Sequence, residues 1–456
     1  MAGDKWCAPS IPWTVRNNGM STQGATRPLV RIKFRPLQAT LAYVGLCLAG
    51  CASFSGDSVV GEINITAVER VEMDENLGCP EWSPDGRHCA FTNYPGKLSC
   101  CSARDFRKRF DIPYESRTVG VDDHSLNQWA PNGKYVYGIE SNEKEEMALA
   151  VYDTSGRKLL QTPYVQSIDS SSVRWSPDST KIAFNEDYSR WFHKPDVWVV
   201  DIGTKQARNL TPDGLGKDFD FIVAGPEPCD FGPEWSPDGK ELLYVSGKKA
   251  IMKFSFERNQ PTQLVSIEDT HPLLINKLRW SPSGDRVIFD DMKYNKVCIV
   301  GAKGERLGEC CYGEEQPNGP CDIVWLDGGR FILLDFDLYE RGPTYPTSKW
   351  LMLLRSDAGH VMSWQTTAEV GVSPKRRYLA YVQKDENDVC SLHVMDVQNQ
   401  KTKKLAEGKA GYGEPMADNT LSFTERSRVY WTPERNTLLV RSGFYWYRTI
   451  LVGVAE

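Results

Sequence analysis

A short motif that recurs at spacings of 45 to 60 residues most constrains how this 456-residue chain folds. Its complete form is Trp82-Ser83-Pro84-Asp85-Gly86, and residues 235–239 repeat it in full. Shorter or altered copies begin at Trp129, Trp175, Trp280, Trp325, Val372 and Trp431. Periods of this size are typical of propellers and solenoids, in which every repeat is one supersecondary unit. The chain is therefore predicted to fold as an array of similar units.

Each motif predicts a tight turn between two strands. Ser and Pro at its first positions favour a type I turn, and Gly supplies the left-handed residue that completes a bulged hairpin. A strand-like run follows every motif, for example residues 182–184 and 287–289. Two more strands follow in the unit, as at residues 196–201 and 207–210. Four short antiparallel strands per unit make a propeller blade.

These motifs resemble the TolB-type (WD40-like) propeller repeat, which also occurs in the propellers of prolyl-oligopeptidase-type peptidases. The resemblance covers residues 62–456 and implies an all-β fold with one propeller of four-stranded antiparallel blades. We expect eight blades, with seven as the alternative if the copy at Val372 or Trp431 is not a full blade. The last unit has three predicted strands, and the predicted strand at 62–71 has no partner of its own. We expect it to complete the last blade, which would cover an exposed edge.

Residues 1–50 are predicted to be a secretory signal peptide. Four basic residues lie within 27–35, an apolar run covers 37–48, and the segment ends in Leu48-Ala49-Gly50-Cys51. This order of charge, apolar run and small residues is typical of signal peptides. The last four residues resemble the bacterial lipobox, which implies cleavage before Cys51 and lipidation, including palmitate, of that cysteine. A short membrane anchor or a chance apolar stretch is the alternative, and Met20 is an alternative start that would exclude residues 1–19.

The predicted organisation is thus a signal peptide at 1–50, a lipidated linker at 51–61 and a propeller at 62–456. Ala52 follows the lipidated cysteine, which by resemblance to Gram-negative lipoproteins favours the outer membrane, with the protein facing the periplasm. Removal of residues 1–50 changes the formal net charge from −6 to −11. This acidity argues against a general nucleic-acid binder, which would be basic.

Ten cysteines besides Cys51 would remain after cleavage, in a compartment where disulfides persist. Cys89 with Cys100 or Cys101 is one predicted bridge. A second joins Cys310 or Cys311 to Cys321. Free buried thiols, which pack as small apolar groups, are the alternative.

No catalytic signature stands out in the sequence. A Gly-x-Ser-x-Gly elbow, a P-loop, a dinucleotide fingerprint and a His-Glu-x-x-His motif are all missing, and the six His are spread over different units. We therefore expect a monomeric, non-catalytic, lipid-anchored envelope propeller that needs no cofactor or metal and binds a protein or glycan. A propeller enzyme acting on polysaccharide, such as a lyase or glycosidase, is the alternative, and a purely structural scaffold is a third possibility.

The lengths of the connections predict which face binds. With strands A to D counted outward from the channel, the A–B and C–D turns share one face, here called the turn face, and are short. The B–C loops and D–A connections share the opposite face, here called the loop face, and include the long segments 185–195, 211–232, 335–349 and 407–427. Elaborated loops on a rigid scaffold commonly carry binding sites. The loop face is therefore the predicted binding face.

Aromatic and charged residues supply the candidates on these faces. The candidate binding residues, which would otherwise pack back onto the blades as local core, are Trp191, Phe192, His193, Tyr339, Tyr345, Phe444 and Trp446. Acidic residues predicted on the loop face include Glu143, Glu145, Glu146, Glu186, Asp187, Asp218, Asp220, Glu314 and Glu315. Basic residues predicted on the turn face are Lys134, Lys181, Lys240, Lys375, Arg376 and Arg377. This polarity would steer a basic partner or collect a cation; solvated surface is the alternative.

Overall fold

The computed structural model describes most of the chain beyond residue 62. The described residues are 63–71, 80–93, 97–114, 128–186, 196–212, 231–246, 250–267, 275, 277–313, 319–338, 348–367, 370–387, 389–409, 423, 427–434, 436–442 and 445–454. The predicted signal peptide, Cys51 and the linker lie outside these residues. Within them, no helix has the length and apolar character needed to cross a membrane.

The first half of the described chain contributes the strand β1 and four blades. The strands are β1 Asn64–Val71, β2 Pro80–Trp82, β3 His88–Asn93, β4 Lys97–Ser102, β5 Lys108–Pro113, β6 Tyr135–Ser141, β7 Met147–Asp153, β8 Lys158–Gln161, β9 Arg174–Trp175, β10 Lys181–Asn185, β11 Val197–Asp201, β12 Gln206–Asn209, β13 Phe231–Trp235, β14 Glu241–Ser246, β15 Ala250–Ser255 and β16 Gln260–Ser266. Blade 1 is β2–β5, blade 3 is β9–β12 and blade 4 is β13–β16. In blade 2 the inner strand is reduced to a bridge between Trp129 and Val136, beside β6–β8.

The second half contributes blades 5 to 8. Its strands are β17 Leu278–Trp280, β18 Arg286–Asp291, β19 Lys296–Gly301, β20 Arg306–Cys311, β21 Asp322–Leu326, β22 Phe331–Leu338, β23 Ser348–Arg355, β24 His360–Thr366, β25 Gly371–Val372, β26 Tyr378–Lys384, β27 Val389–Asp396, β28 Lys401–Lys409, β29 Arg428–Trp431, β30 Thr437–Ser442 and β31 Tyr445–Val452. Blades 5, 6 and 7 take four consecutive strands each. Short 3₁₀ turns lie at Ser170–Ser172 and Asp327–Gly329.

Blade 8 is completed by the first strand of the chain. The order of its strands is β1-β31-β30-β29, and β1 pairs antiparallel with β31 from Asn64 opposite Val452 to Val71 opposite Trp446. Ile63, just before β1, is fully buried in the core of this blade with Val429 and Leu451. The eight-bladed all-β propeller and its closure by the N-terminal strand are thereby confirmed, because both copies at Val372 and Trp431 belong to four-stranded blades.

The hydrogen bonds of the motif explain why it recurs. In blade 4 the Ser236 hydroxyl donates to Asp238 Oδ1 at 2.7 Å and accepts from the Glu241 backbone N–H at 2.9 Å. This bond from Ser236 lowers the pKa of Asp238. Gly239 closes the turn at a φ of 70°, in the left-handed region that favours glycine. Ser83 and Ser176 make the same contacts in blades 1 and 3.

The motif tryptophans and their neighbours connect successive blades. Trp235 Nε1 donates to the Arg174 carbonyl at 3.0 Å, so the inner strand of one blade is tied to that of the preceding blade. Charged side chains on the inner strands also connect neighbouring blades along the channel wall. Arg174 Nε lies 3.6 Å from Glu234 Oε2, Arg279 NH1 lies 3.7 Å from the same oxygen, and Arg279 NH2 lies 3.1 Å from Asp322 Oδ1. These four residues, from blades 3 to 6, are called the channel belt below.

The described cysteines are thiols, which corrects the two predicted bridges. Cys89 lies opposite Cys101 across β3 and β4, and the two side chains interact with each other as free thiols; each Sγ also lies 3.9 Å from a backbone carbonyl. Cys321 Sγ donates to the Asp335 carbonyl at 3.1 Å and is a free thiol, as are Cys310 and Cys311. The free cysteines are Cys89, Cys100, Cys101, Cys298, Cys310, Cys311, Cys321 and Cys390. Five of them are buried, in agreement with the alternative of thiols that pack as small apolar groups.

We predict that Ile63→Ala destabilises the whole propeller, because it empties a fully buried position beside the closing strand. Truncation of a buried Ile to Ala costs about 2 to 5 kcal/mol. Urea unfolding followed by tryptophan fluorescence measures the change. Glu69→Ala, at an exposed position of β1, is the control and should change the free energy of unfolding by less than about 0.5 kcal/mol. Equal stability of both variants would contradict a closing role for this segment.

Candidate functional site

A cleft of about 410 Å³ opens on the loop face between blades 2 and 3. Three segments build it: the turn between β6 and β7, the connection that follows β8, and the end of β10. Its lining residues are Lys144, Glu145, Glu146, Tyr164, Val165, Gln166 and Glu186. B–C loops and a D–A connection therefore meet here, and this blade 2–3 cleft is the candidate functional site.

Asn142 fixes the acidic wall of the cleft. Its side-chain Oδ1 accepts from the backbone N–H groups of Lys144 at 2.9 Å and Glu146 at 3.0 Å. Its Nδ2 donates to Glu146 Oε2 at 2.8 Å, so both the backbone and the carboxylate of Glu146 are held. Glu145 has a φ of 61°, a left-handed conformation that is uncommon outside glycine. One asparagine thus holds the turn that carries Glu145 and Glu146, and it positions the Glu146 carboxylate directly.

Tyr164 forms the opposite rim. The adjacent Val165 pairs with Met147 of β7 through two backbone hydrogen bonds, of 2.7 and 2.8 Å, which anchor the connection to the blade. The Tyr164 ring projects from this anchored backbone and is 42% exposed. An exposed tyrosine on a rigid backbone offers an apolar face and a hydroxyl with little conformational entropy to lose on binding.

Glu186 lies at the end of β10, on the third side of the cleft. Its Oε1 accepts from Trp198 Nε1 at 3.0 Å, and Asn185 Nδ2 donates to its carbonyl at 2.8 Å. Burial raises the pKa of Glu186 to about 7, with the nearby Asp196 carboxylate adding to the rise and the Trp198 bond opposing it. Glu186 therefore exchanges a proton near neutral pH, which the ordinary carboxyl groups of a protein do not.

The structure brings together only part of the predicted binding set. Glu145, Glu146 and Glu186, all predicted on an acidic loop face, meet in the cleft. Tyr164 was not among the predicted residues. Its signal in the sequence is weak: an aromatic residue after Pro163, beyond the end of a strand. Six of the predicted aromatic candidates lie outside the described residues: Trp191, Phe192, His193, Tyr339, Tyr345 and Phe444.

Trp446, the seventh candidate, belongs to the core. It is 2% exposed, and its ring centroid lies 6.2 Å from that of Phe91 in blade 1 and 6.0 Å from that of Tyr430 in blade 8. The Arg441 guanidinium lies 5.4 Å from the same ring. Trp446 thus has the packing role that the sequence left open, at the junction of the first and last blades, and does not offer a surface for a ligand.

A second polar cluster lies in blade 6. Cys321, Asp335 and Asp337 place their potential ligand atoms within 4.8 Å of one another. Lys349 Nζ lies 3.5 Å from the thiol, 3.3 Å from Asp335 Oδ2 and 3.0 Å from Asp337 Oδ1. The ammonium group of the chain itself therefore supplies the positive charge at this position.

The eight-bladed ring and its repeated turn motif define a TolB-type (WD40-like) β-propeller. No protein-family profile matches the chain. An uncharacterised protein of Agrobacterium fabrum is 26% identical over 228 residues, which are 48% of this chain and 67% of that protein. A TolB homologue of Chlorobium luteolum is 30% identical over 130 residues, 28% of this chain; the match spans only 27% of that relative.

A solved structure supports the fold. The C-terminal WD40 domain of Sif2 superposes with a TM-score of 0.53 at 12% identity, covering 85% of this chain and 98% of that domain. An oligogalacturonate lyase in complex with manganese gives a TM-score of 0.42 at 12% identity, covering 72% of this chain and 89% of the lyase. At these identities the comparison concerns the arrangement of strands and not the function.

We predict that Glu186 makes stability fall as the pH rises from about 4.5 to 7. In this window the folded state holds the proton of Glu186 and the unfolded state releases it, so the unfolded state binds fewer protons. Relative to Glu186→Gln, the wild type should lose on the order of 1–3 kcal/mol between pH 5 and 8. Urea unfolding at a series of pH values measures it.

Glu257→Gln, in the exposed turn between β15 and β16, is the matched control and should keep the wild-type pH profile. Parallel pH profiles for the wild type and Glu186→Gln would contradict a buried, proton-exchanging Glu186.

Proposed function

We propose that this protein is a non-catalytic, lipid-anchored β-propeller of the bacterial cell envelope that binds a protein or glycan partner through its loop face. The blade 2–3 cleft carries this proposal. It combines a concave surface, an exposed aromatic side chain and fixed hydrogen-bonding groups on the face where the connections are longest. Concave sites with a few fixed polar groups are where ligands bind most often.

The chemistry of the cleft favours a partner with cationic or hydroxyl groups. Three carboxyl groups and one ammonium group line it, so it is negatively charged when Glu186 is ionised. Carboxylates accept hydrogen bonds from lysine, arginine or sugar hydroxyls, and Tyr164 can pack against an aliphatic side chain or a sugar ring. Near neutral pH, Glu186 can also donate, because part of it is protonated.

The lipid anchor would hold the propeller near a membrane. The lipobox-like residues 48–51 support lipidation of Cys51, twelve residues before Ile63. Twelve extended residues span about 40 Å at most. A partner in the same envelope would therefore meet the propeller at high local concentration. We propose the periplasmic face of the outer membrane as the location, with the propeller monomeric and without nucleic-acid ligands.

We predict that Tyr164→Ala abolishes retention of a stoichiometric partner when the full-length protein is purified from detergent-solubilised envelope. Loss of a central aromatic contact costs about 2 kcal/mol or more, which lowers affinity about thirtyfold. Lys240→Ala, on the exposed A–B turn of blade 4, is the control and should retain the partner. Loss of the partner in Lys240→Ala, with retention in Tyr164→Ala, would place the interface on the turn face instead.

We predict that Cys51→Ala moves the protein from the detergent phase to the aqueous phase in a phase-partitioning assay. The thiol is the proposed site of acylation, and acyl chains add about 0.8 kcal/mol of membrane affinity per buried methylene. Mass spectrometry of the N-terminal peptide should show the acyl mass in the wild type only. Detergent-phase partitioning of Cys51→Ala would contradict the anchor.

An enzyme acting on polysaccharide is the second candidate, and Glu186 is the observation that favours it. A carboxyl group with a pKa of about 7 suits a general acid or base, and other carboxylates line the same cleft. Incubation with envelope and plant oligosaccharides, analysed by mass spectrometry, separates the two functions. Turnover by the wild type that is lost in Glu186→Gln would replace the binding function with a catalytic one.

A further inference from the structure

Blade 7 departs from the complete turn motif at three of its five positions, and one of them is the glycine. Its copy is Val372-Ser373-Pro374-Lys375-Arg376, with arginine where Gly86 and Gly239 stand in the complete copies. Arg376 keeps the left-handed conformation of those glycines, with a φ of 59°. A residue with a Cβ pays about 1–2 kcal/mol for this conformation. Backbone strain of this kind is often retained where the side chain has a function.

The Arg376 backbone is held in place from two sides. Its N–H donates to the Ser373 carbonyl at 2.7 Å, which closes the turn as in the other blades. Its carbonyl accepts from the Asp327 N–H of blade 6 at 2.8 Å. The Cα of Arg376, from which the side chain extends, is therefore held at a fixed position on the turn face.

The Arg376 side chain reaches the channel. Its NH1 donates to the carbonyl of Trp325, on the inner strand of blade 6, at 3.3 Å. Burial lowers the pKa of Arg376 most strongly, while the carboxylates of Asp322 and Glu234 act in the opposite direction and Arg279 lowers it further. The last three residues belong to the channel belt. Trp325 lies on the same inner strand as the belt residue Asp322, so Arg376 lies beside that belt, on the side of the turn face.

Arg376 is the member of this group without a carboxylate partner. The belt carboxylates of Glu234 and Asp322 are engaged by Arg174 and Arg279. Within the described ranges, no carboxylate oxygen forms an ion pair with Arg376. Its sequence neighbour Arg377, by contrast, donates to Asp396 Oδ2 at 2.9 Å. A guanidinium has five N–H donors, and the Trp325 carbonyl uses one of them.

The net charge of Arg376 and the neighbouring channel belt residues favours binding of an anion. Three guanidinium groups, of Arg174, Arg279 and Arg376, face two carboxylates, so the group carries a net charge of +1. Arg376 is exposed, so a solute can reach it. Arginine forks bind phosphate and carboxylate through paired hydrogen bonds. We propose that the turn-face mouth of the channel is an oxyanion site, in which Arg376 binds a phosphate group, either free or at the end of a larger molecule.

Titration calorimetry of the full chain with inorganic phosphate tests the site, with chloride at matched ionic strength as the reference. We expect saturable one-to-one binding by the wild type and an accompanying rise in the melting temperature. Arg376→Gly restores the glycine of the complete motif copies, so this variant should fold. It should weaken the phosphate affinity by about tenfold or more, because charge-assisted hydrogen bonds are lost.

Lys375→Ala, at the exposed position next to Arg376, is the matched control and should keep the wild-type affinity. Absence of phosphate binding in the wild type, or equal affinity in Arg376→Gly, would overturn the proposal. Glycerol phosphate in place of inorganic phosphate identifies the source of the anion. Tighter binding of the ester indicates the phosphoryl end of a larger molecule, and weaker binding indicates the free anion.

Discussion

The antiparallel pairing of β1 with β31 is the contact on which the rest of the propeller depends. Each blade buries one face against the blade before it and the other against the blade after it, so apolar clusters lie between successive blades around the ring. At the junction of blades 8 and 1, Phe91 and Phe106 pack with Leu439 and Trp446 in one cluster. Without β1, blade 8 would keep three strands and an open edge beside this cluster. Closure therefore protects hydrogen bonds and apolar surface together.

The two faces of the ring are stabilised by different patterns of hydrogen bonds. On the turn face of blades 1, 3 and 4, a serine hydroxyl donates to an aspartate carboxylate and accepts from a backbone N–H. The loop face has no such repeat, and its connections differ in length and composition. Local hydrogen bonds such as those of Asn142 shape them one at a time. Repetition makes the scaffold rigid, and the unrepeated side is free to acquire a specific shape.

Much of the fold could be predicted because its signals are local. The three strands predicted for the last unit are present as β29, β30 and β31, and the C–D turns are short as predicted, for example between Asp153 and Lys158. The closing strand could be inferred from counting strands.

The site was harder to predict, because its three walls come from segments about 20 residues apart that meet only in the folded ring. The sequence does not distinguish a tryptophan that packs inward, such as Trp446, from an exposed aromatic residue. The spacing of cysteines likewise does not show whether their Sγ atoms are bonded to each other.

Closure of the ring by β1 and β31 also affects the order in which the chain folds. The β1–β31 contacts join residues 384 positions apart, for example Thr66 and Ile450. Hairpins within blades form from near neighbours and are fast, whereas contacts of such sequence separation are late and slow. Until residues 445–452 are available, the intermediate is an open arc with an unpaired strand at one end and its complement missing at the other. In two such arcs, β1 of one molecule can pair with β31 of the other. The pairing that closes one molecule can therefore exchange strands between two molecules at high concentration.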